Sequence, residues 1–331
     1  MKQKDVQANL LGNQPQYLYN RYSDFLKSKY GCKVYKLPVN IHSSCPNRCS
    51  NNENGGCIFC GEEGAGFELL PSNLSVLEQL RQNMEYINKK YKAQKFIAYF
   101  QNYTNTYLLF DYFCTCINEA CVEDIVALYI STRPDCVNER YLDFLNKIKN
   151  EKNIDIVIEL GLQTVNYHTL ERLNRGHGLA EFIDAVLRIK KFNLDCCAHV
   201  IVDLPWDTML DVCETSRVIS ALGVDQVKCH SLYILENTRL GDMYNKKEFK
   251  PLQFEEYVER IILFLEHLSP DIVIQRLIGR APEERTLFCN WGKSWWKIQD
   301  IIEEKMRERR TFQGRLFNYL NGTKFPLFSF R

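Results

Sequence analysis

Along the chain, short runs rich in β-branched and aromatic residues alternate with longer segments of helical period. The short runs fall at 33–41, 95–101, 125–131, 154–161, 197–203, 225–231 and 271–277. Between them the spacing predicts helices over 73–92, 109–122, 138–150, 179–192, 208–221 and 254–268. Ser75 and Glu78 stand at capping-box spacing where the first of these begins. In the last, Phe254, Tyr257, Val258, Ile261, Ile262, Leu265 and Leu268 form one apolar stripe. Strands alternating with helices imply βαβ units and a parallel sheet. Six or seven such units predict an α/β barrel or partial barrel, with a doubly wound open sheet as the alternative.

The parity of the strands adds to this. Strands buried on both faces should read as nearly continuous apolar runs. Here Ile156, Ile158, Leu160 and Leu162 share one face of their strand, while Val157, Glu159, Gly161 and Gln163 share the other. Val227 and Cys229 oppose Gln226, Lys228 and His230, and Leu128 and Ile130 oppose Tyr129, Ser131 and Arg133. Ala198, Val200, Val202 and Leu204 oppose His199, Ile201 and Asp203, and Phe96, Ala98 and Phe100 oppose Tyr99 and Gln101. The polar positions gather toward the C-terminal strand ends. Burying them without partners would cost a few kcal/mol each. A shared polar cavity at the C-terminal mouth, where barrel enzymes keep their chemistry, accommodates them together. The alternative is scattered, hydrogen-bonded core polars.

Composition narrows the class. The chain has 331 residues, a net charge of +1, 45% hydrophobic residues and 25% charged residues. It can bury a large core and has no global electrostatic pull toward nucleic acid or membrane. The N-terminal stretch has no apolar h-region, and no run is long enough to span a bilayer. The expected setting is the cytoplasm, where thiols stay reduced. The 14 cysteines then read as metal ligands, catalytic groups or small buried hydrophobes rather than a disulfide framework.

Four of those cysteines lie in one loop after the first strand, "CPNRCSNNENGGCIFC" from Cys45 to Cys60. Cys57 and Cys60 form a C-x-x-C, and Gly55–Gly56 lets the chain fold back tightly. Thiolates select zinc or iron–sulfur clusters. Three arrangements compete: a closed four-thiolate zinc site, a [4Fe–4S] cluster with four protein thiolates, and a [4Fe–4S] cluster with three thiolates and one open iron. Placement after strand one, over a polar mouth, favours the third.

At this point a family resemblance enters. The stretches "KVYKLPV", "CPNR", "GGCIFCGEEGAGF", "YFQNYTNTY", "STRPDCV", "IELGLQT", "RLNRGH", "KCHSLYILENT" and "QRLIGRAPEER" occur in order. In these the chain resembles the radical S-adenosylmethionine (SAM) superfamily, in its YhcC-like branch with an Elongator-protein-3-like radical domain. The resemblance implies a partial (β/α)6-type TIM barrel over 33–285, with helical extensions at 1–32 and 286–331. It assigns Cys45, Cys57 and Cys60 as cluster ligands, with eleven residues between the first two, and leaves Cys49 over. It implies SAM contacts from Gln163 and Arg175, from strand-end Ser131 and His199 beside Glu159, and from Gln101, Thr104 and Asn105 toward the SAM amino group. Asp203 and Trp206 stand where relatives carry glycines. The implied chemistry is one-electron reduction of SAM to methionine and a 5′-deoxyadenosyl radical, which takes a hydrogen atom from substrate. That needs a one-electron donor such as flavodoxin or ferredoxin. Lys228 and His230 are candidates for catalysis by substrate contact or proton transfer; the other reading is a hydrogen-bonded pair bracing the barrel.

The C-terminal region interleaves Trp291, Trp295 and Trp296 with basic residues, and Arg307, Arg309, Arg310 and Arg315 follow. Such a pattern fits stacking on unpaired RNA bases or a helix packed on the barrel with a solvated basic end. The resemblance implies wobble-uridine chemistry on tRNA. The alternatives are a radical enzyme acting on a metabolite or protein, and a non-enzymatic, metal-stapled RNA-binding protein.

Overall fold

The computed structural model describes residues 17–49, 55–61, 69–281 and 285–318, and of Cys49 the backbone alone. The Cys49 thiol, residues 62–67 and 282–284 of two motif stretches, and the outer parts of both predicted extensions (1–16 and 319–331) lie outside the described residues.

The sequence-predicted strands all form: β1 Val34–Val39, β2 Lys95–Phe100, β3 Ile125–Thr132, β4 Asp155–Gln163, β5 Asp195–Ile201, β6 Gln226–His230 and, after a short β7 (Ile234–Leu235), β8 Val273–Arg276. They make one seven-stranded sheet in the order β1-β2-β3-β4-β5-β6-β8, every pair parallel. The sheet is curled. Lys36 on β1 and Gln275 on β8, at opposite edges, approach to 2.7 Å (Nζ to Oε1), and both reach Glu159 on the central β4. A flat, doubly wound sheet would hold its edge strands far apart, so this contact identifies a partial barrel.

Helices surround the sheet: α1 Tyr22–Tyr30, the short α2 Pro46–Cys49, α3 Val76–Tyr91, α4 Phe110–Ala120, α5 Glu139–Lys152, α6 Tyr167–Arg172, α7 Leu179–Lys191, α8 Met209–Ala221, α9 Arg239–Asn245, α10 Phe254–His267 and α11 Trp295–Glu308. The Ser75–Glu78 capping box is present at α3. The main core lies between these helices and the outward parity of the strands; Ile156, Ile158, Leu160 and Leu162 all belong to it. The inward parity begins with an apolar floor of Ile97, Tyr99, Ala127, Tyr129, Val157 and Cys197, and α1 closes that end with Leu26, Tyr22, Phe25 and Tyr30. The edge of β8 is extended by a bridge from Arg21 to Ile274. A third cluster, with Ile58, Leu173, Ile201, Leu204, Leu232, Ile234 and Leu240, forms over the mouth.

One assumption of the parity reading fails locally. The β4–β5 register slips between Gly161 and Gln163, and Gln163 takes a φ of 73°. Gln163 turns over Gly161 instead of continuing the pleat; an ideal Cβ on Gly161 would lie 3.0 Å from its Nε2. Asp203 likewise leaves the predicted cavity. It is buried and braces the backbone, accepting from the Leu232 N–H at 2.7 Å. Trp206 packs on Phe249, beneath the Arg172 guanidinium. Both departures thus fill the third cluster's neighbourhood.

Candidate active site

The inward polar residues converge on Glu159, which is 1% exposed at the centre of the lumen. Its Oε1 accepts from Lys36 Nζ at 2.8 Å and Gln275 Nε2 at 3.1 Å; its Oε2 accepts from His199 Nε2 at 2.7 Å and Lys228 Nζ at 3.0 Å. Ser131 Oγ lies 3.5 Å from the same oxygen and 3.2 Å from Tyr99 Oη. Burial pushes the Glu159 carboxyl up, but Lys228, Lys36 and His199 outweigh it and hold it well below the usual carboxylate range. Burial lowers Lys228 to about 7 against the pull of Glu159, and lowers His199 to about 4. The lumen at neutral pH is therefore a charged plug around one ionised carboxylate.

Lys228 also donates to Tyr99 Oη at 2.7 Å, so it is engaged on two sides. His230 lies above it. Arg276 Nη2 is 2.8 Å from His230 Nδ1, and the His199 and His230 rings stand 5.4 Å apart. The sequence reading missed Lys36, Gln275 and Arg276. Lys36 lay in an apolar-looking strand, and the other two mattered only once β8 curled round to face β4.

The cysteine loop sits on the same mouth. Cys45 precedes α2, whose first position is Pro46, a residue suited to it because its missing N–H would be unpaired there. Gly55 and Gly56 have φ of 34° and 83°, which reverse the chain toward Cys57. The turn is then seated by backbone bonds: Ile58 N–H donates to Leu173 O at 3.1 Å, and Leu240 N–H donates to Ile58 O at 2.8 Å. Arg48 Nη2 reaches the Cys60 carbonyl at 3.1 Å, and Asn47 Nδ2 reaches both Asn174 O, at 2.7 Å, and Cys57 Sγ, at 3.5 Å.

Arg175 links this loop to the sheet. Its Nη1 donates to Cys57 Sγ at 3.1 Å; its Nη2 donates to Gly161 O at 2.9 Å and to His177 Nε2 at 2.9 Å. Arg133 donates to the Arg175 carbonyl at 2.7 Å and is itself clasped by Asp135 at 2.9 Å. A hydrogen bond from Cys60, followed by Arg175 and Arg133, holds the Cys57 thiol well below its usual range despite burial. A thiol biased to thiolate is what a metal requires of a ligand. Cys45, Cys57 and Cys60 are all free thiols, and Arg133 feels the charge of both Cys45 and Cys57. Arg133 and His177 lie in the quoted stretches "STRPDCV" and "RLNRGH" but had been given no role in the site; Arg133 was legible only as a polar strand-end residue.

The expected cofactor-binding residues sit around the rim. The Asn105 side chain donates to Phe100 O at 3.0 Å and Ser131 O at 2.8 Å, tying the ends of β2 and β3. Thr104 is buried beside it, with its N–H on Ser44 O at 3.3 Å, and Gln101 is half-buried where β2 ends. Four buried polar atoms here have no partner: the amide oxygens of Asn102 and Asn105, and the Nε of Arg175 and Arg276. Unpartnered amide acceptors and guanidinium donors are the groups that a ligand bearing an amino group and a carboxylate would pair with. Together with the thiolate-biased Cys57 and its neighbours Cys45 and Cys60, this donor set fits an iron–sulfur cluster and SAM.

The C-terminal aromatics divide. Ile298, Ile302 and Met306 form the buried face of α11, and Trp291 donates from Nε1 to Leu252 O at 2.7 Å. Arg307 pairs with Glu303, Arg309 with Glu259 and Arg315 with Glu266. The arginine cluster is thus largely neutralised by carboxylates, as a packed helix requires.

Residues 40–219 match the Radical SAM superfamily model and residues 224–308 the Radical_SAM C-terminal domain. The chain is 31% identical to the Escherichia coli protein YhcC over 89% of its own length and 94% of that protein. Half of it (50%) is 30% identical to a Methanocaldococcus jannaschii tRNA uridine(34) acetyltransferase, covering 30% of that enzyme. The fold superposes on the archaeal Methanocaldococcus infernus Elp3 with a TM-score of 0.66 and 19% identity, over 85% of this chain and 64% of that one. Among the described residues, no helix is long and apolar enough to cross a membrane. With its curled parallel sheet, its cysteine loop over a polar mouth and these matches, the chain belongs to the radical SAM superfamily, in its YhcC-like, Elp3-like branch, whose enzymes use a [4Fe–4S] cluster and SAM.

Proposed function

We propose that this enzyme modifies wobble uridine in tRNA in the cytoplasm, taking electrons one at a time from a flavodoxin or ferredoxin. The observation that carries the site is the thiolate-biased Cys57 held by Arg175, a guanidinium that keeps a buried, unpartnered Nε. The RNA reading draws on the relative that acts on tRNA uridine(34). Cys45, Cys57 and Cys60 would hold the cluster. Gln101, Thr104 and Asn105 would receive the SAM amino group, Arg175 and Gln163 its carboxylate, and Ser131 and His199, steadied by Glu159, its nucleoside end. When bound, cluster and SAM together supply an organic radical able to abstract hydrogen. The protein's own work is to orient and to dry. Arg175 fixes Cys57 relative to the end of β4. The ionised Glu159 keeps His199 in the tautomer with a proton on Nε2. Lys228, titrating near neutrality, and His230 stand ready to exchange a proton with substrate at the mouth.

Anaerobic cluster reconstitution followed by a SAM-cleavage assay, with and without tRNA, tests this. The expected result is iron-dependent formation of 5′-deoxyadenosine, with tRNA altered at the wobble position. Stoichiometric zinc in place of iron would sink the site assignment. Cleavage indifferent to tRNA would transfer the substrate to the metabolite or protein class.

A further inference from the structure

Two adjacent tryptophans at the start of α11 do not pack. Trp295 is 39% exposed and Trp296 56% exposed. Isolated exposed apolar residues are ordinary, but two exposed tryptophans in one helical turn mark a candidate interaction surface. Its position follows from a chain of contacts. An ideal Cβ on Gly279 would lie 3.3 Å from His230 Nδ1, inside the mouth. The next residue, Arg280, places its guanidinium 4.6 Å from the Trp295 ring centroid. Asn290 locks this arrangement, donating to Gly279 O at 3.0 Å and accepting from Ser231 Oγ at 2.6 Å. Trp295 therefore stands on the rim of the barrel mouth, two contacts from His230, and Trp296 follows it in the same helical turn.

The described charge beside them is mostly cationic, with Asp300 one turn further along the helix. Arg280, Lys293 and Lys297 form no ion pair with a described carboxylate, and the first turn of α11 carries no acidic residue. This contrasts with Arg307, Arg309 and Arg315 near the other end of the helix, each held by a glutamate. Unpaired cations beside open aromatic faces suit a ligand that offers flat rings joined by phosphates. A protein partner would have to bury both rings beside two ammonium groups and a guanidinium.

We propose that Trp295 and Trp296, with Arg280, Lys293 and Lys297, form a stacking platform for unpaired nucleotides of an RNA loop whose neighbouring nucleotide enters the barrel mouth. This rests on the RNA reading above and assigns it a surface. Trp296 offers its face to a base, Arg280 stacked on Trp295 flanks it, and the lysines take phosphates.

The test is anaerobic fluorescence anisotropy of the reconstituted full chain with a labelled tRNA anticodon stem–loop, scored by binding and needing no turnover. Trp296→Ala is expected to weaken binding roughly tenfold. Arg280→Ala and Lys297→Ala are each expected to flatten the dependence of log affinity on log salt by about 0.7. Because these side chains are exposed, the thermal midpoint should not move. If wild type binds the stem–loop and Trp296→Ala binds it equally well, the platform is wrong while the RNA reading stands. If wild type binds no RNA, that reading fails and the platform with it. Light scattering that shows a wild-type dimer dissociated by Trp296→Ala, with RNA affinity unchanged, would make the surface a self-association site.

Discussion

Replacing Glu159 by glutamine keeps the shape of the side chain and removes its charge from the lumen. The structure sets the magnitude. Two ammonium groups, Lys36 and Lys228, lie 2.8 and 3.0 Å from the Glu159 oxygens, all well buried. Stripping one partner from a buried pair costs about 3–5 kcal/mol, because the remaining charge stays desolvated. Here one substitution strands Lys36 and, below about pH 7, Lys228 as well, and turns one carboxylate oxygen, which accepts from donors on every side, into a further donor. A loss of about 4 kcal/mol would consume much of a domain's usual stability of roughly 5–15 kcal/mol. With a urea slope of about 3 kcal/mol per molar, the unfolding midpoint should fall by more than 1 M, roughly. Adding Lys228→Met, which removes a stranded cation, should recover part of that loss. The pH dependence has a definite sign. The Glu159 pKa is held below its ordinary 4.5 in the folded state, so its stabilisation is present above that value and is lost as pH falls through the folded pKa. The gap between wild type and variant should therefore narrow in strong acid, as Glu159 takes up its proton, and also shrink as pH rises toward 7, where Lys228 gives up the charge that the substitution would strand. A midpoint shift equivalent to less than about 1 kcal/mol at neutral pH would refute the claim that this carboxylate organises the lumen.

Asp203 behaves in the opposite sense: burial raises it to about 7 from 3.8, so its contribution is intact in acid and is lost as pH rises through 7. Asp203→Asn can still accept from Leu232; its stability relative to wild type should grow by about 1.4 kcal/mol per pH unit up to neutrality, and equal gaps in urea unfolding at about pH 5 and about pH 7 would contradict this. Gly161→Ala places a Cβ 2.9 Å from Arg175 Nη2 and 3.0 Å from Gln163 Nε2; SAM affinity by equilibrium dialysis should fall about tenfold or more, equivalent to roughly 1.4 kcal/mol, with little change in unfolding midpoint. Cys45→Ala, Cys57→Ala and Cys60→Ala should each lose cluster iron and SAM cleavage, whereas Cys49→Ala should keep both; iron content and visible absorbance decide, and loss of the cluster in Cys49→Ala would restore a four-thiolate site.

Periodicity alone placed the seven strands of the sheet and the helices between them, because burial on one face imposes a repeat that any strand or helix must display. Strand parity also located the polar mouth: Glu159, His199, Lys228 and Ser131 were legible as inward groups since a pleat alternates regardless of what lies across it. The family resemblance, rather than the loop's own spacing, assigned Cys45, Cys57 and Cys60 as the ligands. Which polar groups touch was not legible, because partners are set by curvature. Lys36 meets Gln275 only when β1 and β8 come round to face each other across the lumen. The pleat itself broke at Gly161–Gln163, where a register slip redirects Gln163. The third hydrophobic cluster, which seats the turn at Ile58, joins residues from distant loops and has no period to read. The C-terminal basic and aromatic residues looked like one patch in sequence. Only tertiary packing separated the arginines paired with Glu259, Glu266 and Glu303 from the tryptophans left open at the mouth, since helical phase and the position of a neighbouring carboxylate decide which side chain is free.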